Sequence, residues 1–152
     1  MSDGTFSSPA LPWSDSFSVG IEALDSDHRA LVGLINEVCG HARAGRRERA
    51  VETLVPLCAL AEAHFDREEA VLRDLSGYRQ LAAHAGEHRN RLKQLVALRQ
   101  RFESATDAAA ADRICDDLVH WFVRQSIGHD AEIKSHLDDR GTRFSPLGGS
   151  KA

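Results

Sequence analysis

Four stretches of the chain place apolar residues three or four apart, and none shows the strict alternation that a half-buried strand requires. From about Ile21 to Ala44 the positions Leu24, Leu31, Leu34, Ile35 and Val38 recur at helical spacing. A second run, about Arg47 to Leu75, has the stripe Val51, Leu54, Val55, Leu57, Leu60, Phe65 and Leu72. Pro56 lies inside it and predicts a kink or a late start, because proline has no N–H to donate. The third run, about Arg79 to Phe102, uses Leu81, Leu92, Leu95, Val96 and Leu98. The fourth carries Ile114, Leu118, Val119, Trp121, Phe122, Ile127 and Ile133 and reaches about Leu137, with Thr106 or Asp107 as its N-cap. Gly40 and Gly45, the "SGY" at 76–78 and the "ESATD" at 103–107 read as the turns.

Long helices joined by short links predict an all-α, up-down-up-down four-helix bundle over residues 21–138. Residues 1–20, with Pro9, Pro12 and several serines, read as an extended N-terminal arm that Trp13 and Phe17 tack onto the core. Residues 139–152 read as a flexible tail.

Charge narrows the function. The chain carries a formal −4, with both signs scattered, whereas a nucleic-acid or anionic-membrane binder needs a clustered basic face. The "RRER" at 46–49 is too short for one and reads as a solvated helix start. No apolar run approaches the roughly 20 residues that span a bilayer, and the N-terminus lacks a charged-then-apolar export pattern. Cys39, Cys58 and Cys115 show no CxxC spacing and read as reduced, buried thiols. The expectation is a cytoplasmic monomer.

The chemistry sits in "HFDREE" at 64–69 and "HAGEH" at 84–88. His64 with Glu68, and His84 with His88, are four apart, so on a helix each pair faces one way, about 6 Å apart along the axis. The neighbouring stripes put all four near the bundle interior, where a carboxylate among imidazoles is costly without a partner. A cation is the simplest partner, and inward Glu and His on facing helices are how di-iron bundles are built. The first helix adds His28 and the fourth adds Asp130. Six nitrogen and carboxylate donors suit iron, manganese or zinc, and two carboxylates among them suit two bridged ions better than one tetrahedral zinc.

Read in order, Trp13, Phe17, "VGI" at 19–21, "LD" at 24–25 and His28, then "HFDREE", then His84 and His88, then Trp121 and Asp130, resemble the hemerythrin family, in particular its bacterial single-domain members. The resemblance runs from about Trp13 to Ile133. It implies a four-helix bundle around a non-haem site of two iron ions that binds O2 or small anions. By the same resemblance His28 and His64 would hold the iron that takes O2, and His84 and His88 the other. Glu68 and Asp130 would bridge the two, with an oxo or hydroxo group as a third bridge. Leu31, Phe65, Trp121 and Ile127 would line a dry O2 pocket.

One position departs from the family pattern. Four residues after the tryptophan and five before the aspartate the family normally has a histidine, and here stands Gln125. Its amide oxygen could coordinate weakly, hold a coordinating water or leave the position open. His129 is a possible substitute, although about 40° round the helix and about 6 Å further along it. Gln125 and Asp130 lie about 140° apart on a straight α-helix, so a local π-bulge is expected there. A vacancy at 125 should speed autoxidation.

Other polar residues have plainer readings. Glu69 lies about 100° round the helix from Glu68 and is expected in solvent. His41, His120 and His136 fit no ligand spacing. The leading function is O2 carriage, storage or sensing without turnover of an organic substrate. The rivals are a di-iron oxidase or peroxidase that uses the position beside Gln125, a metal-storage or metal-sensing bundle, and a partner-binding bundle with a degraded site.

Overall fold

The computed structural model of the chain describes residues 9–74, 81–129 and 133, with the backbone alone at 81, 82 and 129. The SGY turn, Asp130, His136 and the 139–152 tail lie outside those residues, as do the side chains of Leu81 and His129. Four α-helices carry the fold: α1 (Glu22–Arg43), α2 (Arg47–Asp74), α3 (Leu81–Ser104) and α4 (Ala108–Val123). A π-helical turn, Arg124–His129, continues α4. α1 packs on α2 and α4, and α3 packs on the same two, so the helices close a ring of neighbours. With tight links at 44–46 and 105–107, this is the up-down-up-down bundle. Among the described residues no helix is long and apolar enough to cross a membrane.

The links follow from backbone chemistry. Gly45 has φ +78°, the left-handed region where glycine is unstrained, and ends the turn after α1. Gly40, expected to share that turn, is inside α1, because burying Val38, Cys39 and Ala42 carries the helix past it. Asp107 is the N-cap of α4, its carboxylate accepting from the Ala110 N–H at 2.8 Å.

α2 runs unbroken from Arg47 to Asp74, with Pro56 inside it. The carbonyl that proline leaves without a helical partner is that of Glu52, on the exposed side, where water can serve it. Val55 and Val96, read as stripe residues, are 54% and 48% exposed. Leu54 and Leu57, and Leu95 and Leu98, take the buried face instead.

The arm is tied down by side chains of α1. Asn36 accepts from the Leu11 N–H (2.8 Å) and donates to the Leu11 carbonyl (2.9 Å). Buried Asp25 accepts from the Val19 N–H at 2.7 Å. Phe17 meets Phe122 edge to face with ring centroids 5.1 Å apart, and Trp13 packs on Phe17 in the same way at 5.4 Å.

The core comes in two parts. The larger cluster includes Leu31, Leu54, Phe65, Leu95, Leu118 and Phe122. The smaller holds Val19, Ile21, Leu24, Val71, Leu72 and Ile133. Between Leu24 and Leu31 on α1 lies His28, and between Phe65 and Leu72 on α2 lies Glu68. The polar residues therefore form a layer shut between two apolar ones.

Candidate metal centre

Five of the residues singled out in the sequence meet in that layer. His28, His64 and Glu68 form one triad and Glu68, His84 and His88 a second, with all the donor atoms of a triad within 4.8 Å of one another. Glu68 belongs to both. The five are at most 3% exposed, His64 and Glu68 fully buried. Helix geometry explains the pairs: Glu68 is one turn on from His64, and His88 one turn on from His84.

Carbonyl and carboxylate partners orient the rings. His28 donates from Nδ1 to the Phe17 carbonyl (2.6 Å), because a carbonyl oxygen can only accept. His64 donates from Nδ1 to Asp27 Oδ2 (3.0 Å), and His88 from Nδ1 to Glu69 Oε2 (2.8 Å). Each of these rings therefore turns an Nε2 lone pair inward, the tautomer that metal-bound histidines hold through such second partners. His88 Nε2 lies 2.6 Å and His84 Nε2 2.9 Å from Glu68 Oε1, and His64 Nε2 lies 3.5 Å from Glu68 Oε2.

The sharpest contact is between the first two rings. His28 Nε2 and His64 Nε2 face each other at 3.2 Å while both rings spend their Nδ1 protons outward. With both rings neutral and their Nδ1 protons so placed, the two Nε2 atoms would meet as acceptors, which is unfavourable. A proton on either Nε2 would relieve the contact only by charging an imidazole at 1% exposure or less. A cation shared by the two nitrogens and the Glu68 carboxylate relieves it without that cost, so the donor set fits a metal.

Asp27 and Glu69 were not legible as site residues, and Glu69 is a correction: its carboxylate holds His88 instead of facing solvent. The inward wedge of a helix is wider than 100°, which is room enough for two adjacent carboxylates to reach α3. Asp27 also takes two hydrogen bonds from Arg67, from Nε at 2.8 Å and from Nη2 at 2.7 Å. Burial pushes its carboxyl up, but the hydrogen bonds from His64 and Arg67, with the Arg67 charge, outweigh that and hold it below its ordinary value. The Asp27–Arg67 pair thus keeps an acceptor ready for the His64 proton. Asp27→Asn is expected to weaken metal retention by about 10–100-fold, measured by competition with a chelator. Unchanged retention would mean that Asp27 serves only Arg67.

Beside the triads lies an aromatic wall. Phe65 stacks on His88 with ring centroids 4.1 Å apart and planes 11° from parallel, and Trp121 is 6.4 Å from Phe65. The Trp121 indole N–H donates to the Arg91 carbonyl (2.9 Å), which fixes its ring. Leu31, Phe65 and Trp121 are buried. Ile127, expected with them in a dry lining, is 50% exposed, because the π turn sends Gln125 and Ser126 inward, each 2% exposed. That turn falls where the spacing of Gln125 and Asp130 led us to expect a bulge. Whether Asp130 or the His129 ring joins the layer falls outside the described residues.

The chain matches, over residues 19–133, the family model described as the hemerythrin HHE cation binding domain. It is 26% identical to the bacteriohemerythrin of Stenotrophomonas maltophilia over 132 residues, 84% of each chain. It is 29% identical to that of Ralstonia nicotianae over 133 residues, 88% of this chain and 93% of the relative. With the bacteriohemerythrin of Clostridium acetobutylicum it shares 25% identity over 124 residues, 79% of this chain and 95% of the relative.

Proposed function

The chain belongs to the hemerythrin family, and on that premise we propose that it is a non-haem di-iron protein that binds O2 reversibly. The observation that carries the reading is the buried layer in which one carboxylate, that of Glu68, is shared by the triads of His28 and His64 and of His84 and His88. His28 and His64 would hold one ion, His84 and His88 the other, and Glu68 would serve both. Asp130 would be the second bridge, on the strength of the family resemblance. Bound iron would supply the electrons that make O2 binding reversible.

The protein's own groups do the rest. The Phe17 carbonyl, Asp27 and Glu69 hold three imidazoles in the tautomer that offers Nε2. Leu31, Phe65 and Trp121 keep water from the side of the layer they cover, which disfavours the proton-assisted loss of O2 in reduced form. Gln125 places an amide, a weaker donor than imidazole, where the family resemblance leads one to expect histidine.

The test is iron per chain together with the optical spectrum of anaerobically reduced protein before and after air. Two irons, with an absorption that appears with O2 and disappears when O2 is removed, would support the reading. Iron that passes directly to a stable oxidised spectrum would sink reversible binding and favour oxidase or peroxidase chemistry. Substoichiometric iron would sink the di-iron assignment.

A further inference from the structure

The far end of the bundle has a feature the metal layer does not use. A cavity of about 580 Å3 opens where α1 and α3 end and α2 and α4 begin. Arg43, Arg46, Arg47 and Arg49 line it, and Phe102 and Ala105 lend it apolar wall. Arg43 lies fifteen residues beyond His28 on α1, about 22 Å along the axis, so this site is physically separate from the triads.

The arginines divide into two that build the cavity and two, Arg46 and Arg49, that have no carboxylate partner among the described residues. Arg43 donates from Nε to Asp112 at 3.1 Å, and Arg47 from Nη1 to the Ala105 carbonyl at 2.6 Å, which ties the start of α2 to the end of α3. Arg46 makes a long contact with His41 Nδ1 (3.4 Å), and neither Arg46 nor Arg49 has a carboxylate partner among the described residues. Two carboxylates, of Glu48 and Asp107, also line the cavity, but that of Asp107 is engaged as the α4 cap. With Asp112 counted against Arg43, four guanidinium groups face three carboxylates, which leaves a small local positive excess in a chain whose net charge is −4.

We propose that this cavity binds a phosphate monoester carried on a flat apolar body, of about mononucleotide size. Guanidinium forks match phosphate oxygens two at a time, and Arg46 and Arg49 are the pair that no described carboxylate holds. Ala105 and Ala108, with buried Phe102 and Ala111 behind them, offer the apolar body contact out of water, and the volume lies in the roughly 300–1,000 Å3 range of small-molecule sites. The same cavity turns away cations and gives an uncharged apolar molecule no anchor.

Isothermal titration of the full-length chain with adenosine 5′-monophosphate, adenosine and inorganic phosphate tests this. The monophosphate is expected to bind at least about tenfold more tightly than inorganic phosphate, and adenosine not to bind measurably. The double variant R46A/R49A, both exposed positions, is expected to lose on the order of tenfold or more in affinity, since a hydrogen bond to a charged group contributes about 1.5–3 kcal/mol. Thr106→Glu, at the exposed rim, should weaken binding by adding negative charge without removing an arginine. No heat with the monophosphate, or unchanged affinity in both variants at native helicity, would overturn the site. Equal affinity for phosphate and monophosphate would overturn the apolar half of the assignment.

Discussion

Replacing Glu68 by glutamine is expected to take bound iron from about two ions per chain to well below one, the largest loss that any single side chain of the layer can cause. Glutamine keeps the shape of the fully buried side chain, so the change is one of donor chemistry alone. The carboxylate of Glu68 reaches three imidazoles, with Oε1 on His84 and His88 and Oε2 toward His64. Among the described residues it is the one donor shared by both triads, so its loss removes negative charge from beside both ions at once. A neutral amide in a fully buried layer balances no part of a cation's charge. The metal-free protein should respond in the opposite sense, melting at or above the metal-free native chain, because a buried charge has gone. A ligand that binds the folded state alone stabilises it, and the more so the tighter it binds, so the native protein should lose melting temperature on chelation while the variant does not. Two irons in the variant would mean that Glu68 is not the common ligand, and the assignment of both ions would have to be redrawn.

The second large effect is a gain. Gln125→His is expected to lengthen the life of the O2-bound protein in air by about tenfold or more, the scale on which a lost partner at a metal site is felt. Gln125 is 2% exposed on the π turn, so a side chain of similar reach placed there stays buried. An imidazole is a stronger donor than an amide oxygen for iron, and it closes a position at which water or a small anion could otherwise bind. The measurement is the decay of the O2-dependent absorption in both proteins, together with the rate at which a chelator removes iron. Identical decay would mean that residue 125 does not reach the metal, and would leave the π turn as a matter of packing. Faster decay would mean that imidazole at this position distorts the layer instead of completing it.

Much of this protein is written in local spacing. Period and turn residues were enough to find the four helices and the Gly45 turn and to narrow the α4 cap to Thr106 or Asp107, because each depends on residues within one or two turns of one another. The pairs His64–Glu68 and His84–His88 were legible for the same reason: a rotation of about 400° puts both members on one face whatever the helix packs against. The mismatch between Gln125 and Asp130 likewise foretold a π turn.

Rotation about a helix axis was not legible, because nothing local sets it. Val55, Val96 and Ile127 are apolar and in register with their stripes, yet the packed bundle turns them outward. Glu69 sits 100° from Glu68 and faces α3, and Asp27, next to a ligand candidate on its own helix, serves the imidazole of another. Pro56 predicts a kink or a late start, and only the finding that Glu52 lies on the solvent side shows why α2 starts at Arg47 and passes through it. Local spacing thus settles which donors travel together on each helix. The angle and rotation at which the helices pack settle which donors from different helices meet, which protons point outward, and which lone pairs are left face to face.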